Sequence, residues 1–584
     1  MTKSNEPNSS LRSCLMPDQS TQTVQQPVRS GSPGAIKRLL GDLPFTAEIY
    51  WQLRQRGAAP TRGFSMHRIE SRLPQIAAQA EAARQKISNQ FQASQPRNIL
   101  IFVTLRYWIE HGSLMALALA GLGHKVTLLF LPFTRWDTTP DRFDARRLNA
   151  YAYKVLSQAS RLVRPISLLD ITHPSSREAN HLALPREIVS AVEQVSVRDT
   201  QYTLQIEEVD LNTDTTTSGT LFRLRQERNL QAARSLMDWI SSMPPSDRPD
   251  LVLTPNGSIL EMGAIYQVAL YLGIPAITYE FGEQRGRIWL AQNAEVMRQE
   301  TGELWKELEN IQLSEQQFER VRSLYSSRQN ASLWENFGRL WQGLPLQGEG
   351  EVRQSLNLDE RPVILLAANV IGDSLTLGRQ VFSRNMTEWL QFTVRHFSSL
   401  PGIQLVVRIH PGERYTKGPS VAEVVRQAIP DLPGHIHLVQ AHDPINTYDL
   451  IGISDLGLVY TTTVGMEMAM GGVPAIVSGA THYRSKGFTL DPDTWQEFTF
   501  LVEKVLDNPK AHRLQTNQIK KAWQYAYRFY FNFPCPFPWH LLDFGDSIDV
   551  WPMERALSEE GMEQFGNTFR YLAGEPRDWS VELQ

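Results

Sequence analysis

The sequence predicts an α/β protein with two Rossmann-like parallel-sheet domains that face a cleft, an N-terminal helical extension and C-terminal helices. Two observations lead to this prediction. Short apolar stretches typical of buried strands alternate with helix-length segments in two parts of the chain, 96–295 and 351–510. In the first of these parts, a helix that ends in glycine joins two strands, which indicates a strand–helix–strand unit with a right-handed crossover.

The first α/β domain is predicted over 96–295. The buried strand NILIFVT is followed by the helix SLMALALAGLG and by the second strand HKVTLLFLP. A short strand is expected in ISLLDI, and the polar, Thr-rich stretch 174–220 is interpreted as an insertion. The helix LFRLRQERNLQAARSLMDWISSM and the strands in DLVLTPNG and PAITYEFGE, with a helix between them, complete the domain.

The second α/β domain is predicted over 351–510, with strands in PVILLAAN, IQLVVRIH, HIHLVQ, DLGLVYT and PAIVSG. A helical linker over 296–350 joins the two domains. Residues 511–584 are predicted to form a helical, aromatic-rich tail. At the other end, residues 1–35 are rich in Ser, Gln and Pro and are predicted to be disordered, whereas 36–95 show helical spacing of apolar residues and form the extension.

Composition excludes several classes of protein. The 584 residues carry a net charge of −4 and no dense Lys/Arg stripe, which argues against nucleic acid as a partner. The two cysteines, Cys14 and Cys535, cannot build a disulfide framework, and this fits a reducing compartment. Neither a secretory signal nor an apolar run of about 20 residues is apparent, so we expect a cytoplasmic protein. Peripheral contact with the inner face of a membrane stays open.

The segment LVYTTTVGMEMAMGGVPAIVSG carries the densest set of functional signals. An apolar strand ends at Thr461, Thr462 and Thr463, and a short helix follows that contains Gly465 and Glu467. The first turn of a helix offers unpaired N–H groups and the positive end of a dipole, which suit a phosphate. A carboxylate one turn later suits ribose hydroxyls. We predict that this unit holds a nucleotide-activated sugar at the carboxyl edge of a parallel sheet. The alternative is a helix cap alone.

The segment RIHPGE follows the strand IQLVV at the same predicted edge. The imidazole of His410 can donate to a phosphate, Arg408 adds a cation, and Pro411 fixes the direction of the chain. A surface histidine is the structural alternative. The nearby hydroxyl segment, two strands later, favours a donor-binding role for all three residues.

The loop after PVILLAA contains Asn369, Gly372, Asp373 and Ser374. It combines a flexible glycine with a carboxylate and a hydroxyl where the cleft is expected. These residues are candidates for contact with the donor sugar. An Asx-type turn or a helix cap explains them equally well.

The last loop of the second domain reads GATHYRSKGF. Tyr483 and Lys486 in this loop are candidates to bind a phosphate or an acidic sugar. A solvated loop is the alternative.

Two carboxylates follow the strand PAIT of the first domain, Glu280 and Glu283. A carboxylate that faces a bound donor can serve as a general base on an acceptor hydroxyl, or as a nucleophile. Arg285 follows them and is a candidate to bind an anionic acceptor. A surface loop with an internal salt bridge is the alternative.

The first strand–helix loop contributes Arg106, Trp108 and His111. Aromatic faces suit sugar rings, so these three residues are predicted to bind the acceptor. Packing of Trp108 in the domain interior is the alternative.

Several familiar patterns are missing from the sequence. It has no G-x-G-x-x-G fingerprint, no Walker A loop and no H-E-x-x-H motif. Asp491 and Asp493 form a carboxylate pair that precedes a helix, and we interpret it as an N-cap. No metal and no cofactor other than a nucleotide-sugar co-substrate is therefore expected.

The segments TTTVGMEMAMGGVPAIVSGATHYRSKGFT and RIHPGE resemble hallmark motifs of the capsule polysaccharide biosynthesis family, and ANVIGDS matches its style. That family contains two-lobed, GT-B-like glycosyltransferases related to bacterial Kdo transferases, which use CMP-Kdo. The resemblance is strong over 360–500 and weaker over 97–290. It implies that His410 and the threonine hydroxyls contact the nucleotide phosphate, and that Glu467 contacts the nucleotide or the sugar.

The family often carries a Glu-Asp-Gly triplet tied to catalysis in its first domain. Here the corresponding residues are Glu280, Phe281 and Gly282, so the middle acid is absent. This departure leaves the catalytic role open between Glu280 and Glu283, and it leaves the donor sugar open as well.

The sequence as a whole predicts a metal-independent glycosyltransferase. It would move a sugar from a nucleotide-activated donor such as CMP-Kdo to a capsular or surface polysaccharide or glycolipid, in contact with the capsule assembly machinery. Two alternatives remain. One is a nucleotide-sugar epimerase of the same architecture, which needs no acceptor. The other is a non-catalytic scaffold or binding protein of capsule assembly.

Overall fold

The computed structural model describes residues 35–87, 96–133, 138, 141–172, 184–212, 215–334 and 344–580. The tail that was predicted to be disordered lies outside these ranges except for Ala35, which begins a helix. Of the helices within the described ranges, none combines the length and the apolar character needed to cross a membrane.

Within the described residues, twelve strands form two sheets. Their bounds are β1 (Asn98–Thr104), β2 (Lys125–Leu131), β3 (Val163–Ser167), β4 (Leu251–Pro255), β5 (Ala276–Glu280), β6 (Arg287–Gln292), β7 (Val363–Ala367), β8 (Gln404–Arg408), β9 (Ile436–Val439), β10 (Leu456–Val459), β11 (Ala475–Val477) and β12 (Cys535–Pro536).

Helices surround both sheets. The α-helices in the described part of the chain are α1 (Ala35–Asp42), α2 (Thr46–Arg54), α3 (Leu73–Ile87), α4 (Arg106–Gly121), α5 (Arg142–Leu156), α6 (Leu168–Ile171), α7 (Arg186–Leu204), α8 (Thr217–Ser242), α9 (Leu260–Tyr271), α10 (Gly302–Leu308), α11 (Glu315–Gln329), α12 (Glu349–Ser355), α13 (Met386–Ser398), α14 (Val421–Ala428), α15 (Thr447–Gly452), α16 (Val464–Met470), α17 (Trp495–Asp507), α18 (Thr516–Tyr527), α19 (Phe544–Val550), α20 (Met553–Ala556) and α21 (Glu559–Leu572).

The first sheet has the order β12-β6-β5-β4-β1-β2-β3. Strands β1 to β5 run parallel, whereas β6 pairs antiparallel with β5, and β12 pairs antiparallel with β6. This sheet and the helices that cover it form the first lobe. The second sheet has the order β11-β10-β7-β8-β9 and is entirely parallel, and it forms the second lobe with its helices. The predicted α/β class with two parallel-sheet domains is confirmed.

The second sheet is buried on both faces, as parallel sheets generally are. Successive residues of a strand point to opposite faces. Leu365 of β7 therefore packs on the side of α16 and α18, and its neighbour Leu366 packs on the side of α13 and α14. Near-continuous apolar strands in the sequence reflect this double burial.

The first lobe is completed by the C-terminal part of the chain. After α18 in the second lobe, the chain returns, and β12 adds to the edge of the first sheet. Phe537, Trp539 and Phe569 then join the same hydrophobic core as β1, β2 and α4. Helix α20 packs against α3, which belongs to the N-terminal extension.

The two lobes meet along a seam at the end of α7. Gln205 follows α7 in a left-handed conformation, φ 55°, and its side-chain oxygen accepts from the N–H of Lys417 at 2.7 Å. The carboxylate of Glu207 accepts from the N–H groups of Met386 and Thr387 at 3.0 and 2.9 Å, where α13 begins. The backbone at Gln205 lies so near Gly372 that a Cβ there would stand 2.4 Å from a carbonyl carbon. The seam holds the sheet edges opposite one another.

Two local predictions differ from the structure. The stretch ISLLDI was expected to be a strand, but only its first two residues are, because Ser167 caps a helical turn and accepts from the N–H of Leu169 at 3.2 Å. The Thr-rich stretch that was read as an insertion contains α7, which is part of the lobe core through Ile188, Val192 and Val195.

A buried charge cluster holds α7 against its neighbours. Arg225 of α8 donates to Asp199 of α7 at 2.5 Å, and Arg228 pairs with Glu261 of α9 at 2.7 Å. Arg225 also lies 3.5 Å from Glu261. All four side chains are buried. A buried charge without its partner is costly, so this network fixes the position of α7 and hence of the seam.

We expect Arg225→Met to lower the free energy of unfolding by about 3–5 kcal/mol, because it leaves two buried carboxylates with a single cation. Urea denaturation of the full chain measures this change. The matched control is Arg223→Met on the exposed side of the same helix, which should change stability by no more than ~0.5 kcal/mol. Equal effects of the two substitutions would contradict the role of the cluster.

Candidate active site between the two sheets

The carboxyl edges of the two sheets approach each other around Tyr202, near the end of α7. Burial, and then the negative charges of Asp373 and Glu280, raise the pKa of Tyr202. Glu280 and Asp373 thus both act on the acidity of this phenol, each from its own lobe. Glu280 ends β5 of the first lobe, and Asp373 lies in the loop after β7 of the second lobe. The structure therefore brings together two of the predicted site residues from opposite domains.

Glu280 is half-buried, and its environment changes its acidity. Burial raises the pKa of Glu280 to about 7, although hydrogen bonds from Phe281 and Asn256 act in the opposite direction. The Phe281 N–H donates to one carboxylate oxygen at 3.1 Å, and the Asn256 amide donates to the other at 3.3 Å. A carboxyl group with a pKa near neutrality can both accept and release a proton under physiological conditions.

The turn after β4 orients Asn256 for this contact. Asn256 has a φ of 58°, and its side-chain oxygen accepts from the N–H and the hydroxyl of Ser258. The amide NH₂ is therefore left to face Glu280. The next residue, Gly257, cannot carry a side chain, because a Cβ would stand 2.3 Å from a methyl carbon of Thr278 in the neighbouring strand.

Asn369 and Thr461 connect the ends of β7 and β10 in the second lobe. The Asn369 side-chain oxygen accepts from the Thr461 N–H at 3.2 Å. The Thr461 hydroxyl is buried, yet it has no hydrogen-bond partner among the described residues, and the same holds for the Ser478 hydroxyl at the end of β11. Buried polar atoms are normally paired. Both hydroxyls are therefore candidates for contact with a polar ligand at this sheet edge.

His410 lies two residues after the end of β8 at the same edge, and only β7 lies between β8 and β10. Its Nδ1 accepts from the Gly412 N–H at 3.0 Å, so the neutral ring carries its proton on Nε2. Strands are spaced by about 4.8 Å. The ends that carry His410 and Thr461 are thus roughly 10 Å apart, a span that a phosphate with its attached sugar can cover. Pro411 begins the short helical turn that follows the histidine.

The loop after β7 serves two purposes. Gly372, with φ 72°, allows the seam contact with α7, so its role is to permit close approach. Asp373 is half-buried and accepts from the Ser374 hydroxyl at 3.2 Å. Burial raises the pKa of Asp373, with its bonds to Ser374 acting in the opposite direction.

Arg328 of the linker helix α11 lies between carboxylates of both lobes. It pairs with Glu283 of the first lobe, and with Glu467 of the second lobe at 2.8 Å. The same guanidinium donates to the Tyr530 hydroxyl at 2.6 Å. The cavity lined by Arg328 and Glu467 measures about 10 Å³, room for one water molecule. The ribose contact predicted for Glu467 stays a prediction, and here its carboxylate binds Arg328.

The other predicted donor-binding residues are arranged as follows. Tyr483 is fully buried and donates to the carbonyl of Thr462, and its hydroxyl lies 2.6 Å from where a Cβ of Gly465 would be. Both residues therefore pack against the segment of the three threonines, 461–463. Thr463 precedes α16. Lys486 is half-buried, and burial lowers its pKa. The charge of Glu309 on the linker side acts in the opposite direction but does not cancel this effect.

Arg408 is buried and turns toward the loop after β9. It donates to the carbonyl of Gln440 at 2.7 Å and to the hydroxyl of Thr447 at 3.4 Å. Burial lowers the pKa of Arg408 to about 10, although the charge of Asp443 acts in the opposite direction. The side chain braces this loop, and its donor contact stays a prediction.

The residues predicted to bind the acceptor fall into two groups. Trp108 and His111 are buried in α4, where Trp108 stacks on Phe281 and His111 lies 3.1 Å from the carbonyl of Trp539. Burial lowers the pKa of His111 to about 3. Their packing corresponds to the interior alternative considered for Trp108. Arg106 is half-buried at the start of α4, and Arg285 is exposed and pairs with Asp543 at 3.0 Å.

Sequence reasoning did not find Tyr202, Asn256 or Arg328. Arg328 had a signal, because it follows Val321 and Leu324 on the buried face of α11, and an arginine at an apolar position indicates a buried partner. Tyr202 lay in the polar stretch that was taken as an insertion. Within the described residues, no cluster of three or more His, Cys, Asp or Glu is placed to hold a metal ion.

Comparison with known proteins gives matches for the structure but not for the sequence. No family model and no curated protein matches the chain. A beta-Kdo 2,4 transferase, KpsC from Thermosulfurimonas dismutans, matches with 15% identity, 46% of this chain, 78% of its own and a TM-score of 0.28. A UDP-GlcNAc 2-epimerase from Neisseria meningitidis bound to UDP-GlcNAc matches with 12% identity, over 74% of this chain and 99% of its own, at a TM-score of 0.23. The wall teichoic acid polymerase TagF matches with 12% identity, over 84% of this chain and 95% of its own, at a TM-score of 0.21.

Kdo transferases, to which the sequence motifs led, are thus among the structural matches, and the link is at the level of the fold. Identities of 15% or less and TM-scores of 0.28 or less carry no argument about donor, acceptor or reaction. The function has to be argued from the residues of this chain.

The raised pKa of Glu280 makes stability depend on pH. Its ordinary value is 4.5 and its value in the fold is about 7. The contribution of protonated Glu280 to the free energy of unfolding is therefore fully present below pH 4.5, and it is lost as the pH rises toward 7. We expect Glu280→Gln to remove this fall, so the variant gains up to ~3 kcal/mol relative to the wild type between pH 4.5 and pH 8.

Urea denaturation at several pH values measures that difference. Glu303→Gln, at an exposed glutamate, is the control and should keep the wild-type profile. Parallel profiles for wild type and Glu280→Gln would mean that the carboxyl group is solvated in the protein.

Proposed function

We propose that this protein is a glycosyltransferase of the two-lobed, GT-B-like kind that uses a nucleotide-activated sugar. The observation that carries the proposal is the convergence of Glu280, with its pKa near 7, and the second-lobe edge around Tyr202. Ligands of parallel sheets bind beyond the carboxyl ends of the strands. A gap between two such edges accommodates a donor on one side and an acceptor on the other.

The second lobe is proposed to bind the donor. The unpaired hydroxyls of Thr461 and Ser478 and the Nε2–H of His410 supply polar contacts at one edge. Hydroxyl and imidazole donors suit a phosphate group, which becomes more negative as the bond to the sugar breaks. Asn369 holds Thr461 in place through its backbone. This arrangement supports stabilisation of a departing nucleoside phosphate without an assigned metal.

The first lobe is proposed to supply the acid/base group. Glu280 in its charged form accepts the proton of an acceptor hydroxyl while the acceptor oxygen bonds to the anomeric carbon and the phosphate leaves with the electron pair of the broken bond. Glu283 is less suited to this role, because Arg328 already engages its carboxylate. The acceptor is proposed to be a saccharide or glycolipid of a surface polysaccharide.

A variant of Thr461 tests the donor site. Thr461→Val removes a hydroxyl that has no hydrogen-bond partner among the described residues, so stability should not fall, whereas donor affinity should drop by about 0.5–1.5 kcal/mol, the net value of one hydrogen bond. A thermal-shift screen of CMP-, UDP-, GDP- and dTDP-linked sugars first identifies the donor, and calorimetry then measures both affinities. Thr393→Val is the matched control, since its buried hydroxyl is also unpaired but lies in α13.

Two results decide this test. Weaker binding by Thr461→Val, with wild-type binding by Thr393→Val, supports the site. Wild-type affinity in both variants would exclude the Thr461 hydroxyl from the donor site.

A variant of Glu280 tests the chemistry. With the identified donor and an acceptor, Glu280→Gln should bind the donor normally and turn over at least ~100-fold more slowly, as expected for a lost acid/base group. Incubation of the wild type with donor alone is the companion measurement. An isomerised nucleotide sugar would indicate an epimerase, and donor binding without any turnover would indicate a binding protein. Either result would overturn the proposed transfer reaction.

A further inference from the structure

Helix α1 carries apolar side chains on the side turned away from the protein. Its Gly41 faces α5, where a Cβ would stand 3.0 Å from the backbone N of Phe143. At about 100° per residue, Ile36 and Leu39 project from the opposite side, and Leu43 follows directly after the helix. Their side chains are 76%, 61% and 44% exposed. This is the reverse of the usual arrangement, in which a surface helix turns its polar face to water.

Helix α2 repeats this reversed arrangement. Ala47 and Trp51 are buried against the body of the lobe, whereas Ile49 and Leu53 lie on the opposite side with exposures of 54% and 72%. Phe45, between the two helices, is 70% exposed. Both helices thus contribute to one outward apolar surface, which we call the hairpin face.

The hairpin face concentrates the exposed apolar side chains of the molecule. Seven of the eighteen large hydrophobic side chains that are exposed in the described residues lie between Ile36 and Leu53. Scattered single residues of this kind are ordinary, but a contiguous patch marks an interaction surface.

Four exposed arginines lie within the hairpin or shortly after it in the sequence. Arg38, Arg54, Arg56 and Arg62 are exposed, and none of them has an ion pair among the described residues. The acidic residues of the hairpin are already paired with α5, Asp42 with Arg142 and Glu48 with Arg146. The surface is thus basic, although the chain as a whole carries a net charge of −4.

A groove of about 450 Å³ opens beside α2. Among its lining residues are Trp51, Gln52, Arg56, Tyr153, Lys154 and Ser157. Cations, hydroxyl groups and aromatic rings together suit a phosphate-bearing headgroup at the boundary between water and an apolar layer.

We propose that the hairpin face and this groove dock on a phospholipid membrane that carries anionic headgroups. The apolar side chains enter the acyl boundary, and the arginines contact the headgroup phosphates, which is how interfacial helices bind. Two other occupants fit less well. A second copy of the chain would bring the same unpaired arginines together, and the few apolar residues of 1–34, such as Leu11, Leu15 and Met16, are scattered among many polar ones.

This proposal rests on exposure and charge and not on sugar chemistry. Membrane docking can therefore hold or fail independently of the proposed transferase. If both hold, the surface would bring the enzyme to a lipid-linked acceptor.

Sedimentation of the full chain with vesicles tests the proposal. Binding is expected to vesicles that contain ~30% phosphatidylglycerol, to be weaker on pure phosphatidylcholine, and to fall with added salt. The triple variant Ile36→Ser, Leu39→Ser, Leu53→Ser should bind at least ~10-fold more weakly. Because these side chains are exposed, its melting temperature should match the wild type. Phe500→Ser, which changes a 60% exposed residue of α17, is the apolar control.

Charge variants provide the second arm. Arg54→Gln with Arg56→Gln should weaken vesicle binding roughly 10-fold, while Arg426→Gln, at an exposed arginine of α14, should leave it unchanged. Equal vesicle binding by the triple variant and the Phe500→Ser control would overturn the proposal. So would light scattering that shows a wild-type dimer which the triple variant converts to a monomer, since a second copy would then cover the surface.

Discussion

The geometry of the candidate site depends on the contact between the end of α7 and the second lobe. Gln205 and Glu207 belong to the first lobe, yet they satisfy backbone N–H groups at Lys417 and at the start of α13. Gly372 and Gly418 allow this approach, since a Cβ at either residue would overlap the backbone of Gln205. This contact acts together with Arg328, which pairs with carboxylates of both lobes, to set the position of the two sheet edges. The site is therefore a product of the seam and not of either lobe alone.

Burial of charge gives the site its chemical character. Glu280 and Asp373 both become weaker acids because burial disfavours their charged forms. Arg328 pairs with Glu283, three residues after Glu280, and with Glu467 of the second lobe. One carboxylate is thus poised to exchange a proton while its neighbour holds the lobes and the linker together. The sequence motif alone assigned both glutamates to the same task.

Much of the fold follows from local pattern. The strands after Arg97 and after Arg361 were found because buried parallel strands are nearly continuous apolar runs. Asn369, Asp373, His410 and Thr461 are candidates because ligands of parallel sheets bind beyond the ends of such strands, and their roles stay predictions. Tyr202 and Asn256 could not be found in this way. Tyr202 depends on which lobe the end of α7 touches, and Asn256 on a left-handed turn, and both are matters of tertiary contact. The inward packing of Trp108 and His111 likewise reflects aromatic neighbours supplied by distant residues such as Phe537.

The return of the chain to the first sheet has a consequence for biosynthesis. The core around β1 includes Phe537, Trp539 and Phe569, more than 400 residues later in the sequence. Domains usually fold in order as they leave the ribosome. Here the first lobe is synthesised first, but its hydrophobic core stays incomplete and partly exposed until the second lobe and the C-terminal segment have been synthesised. Its nascent form is a natural client for a holding chaperone, and premature termination after α18 would harm the opposite end of the molecule.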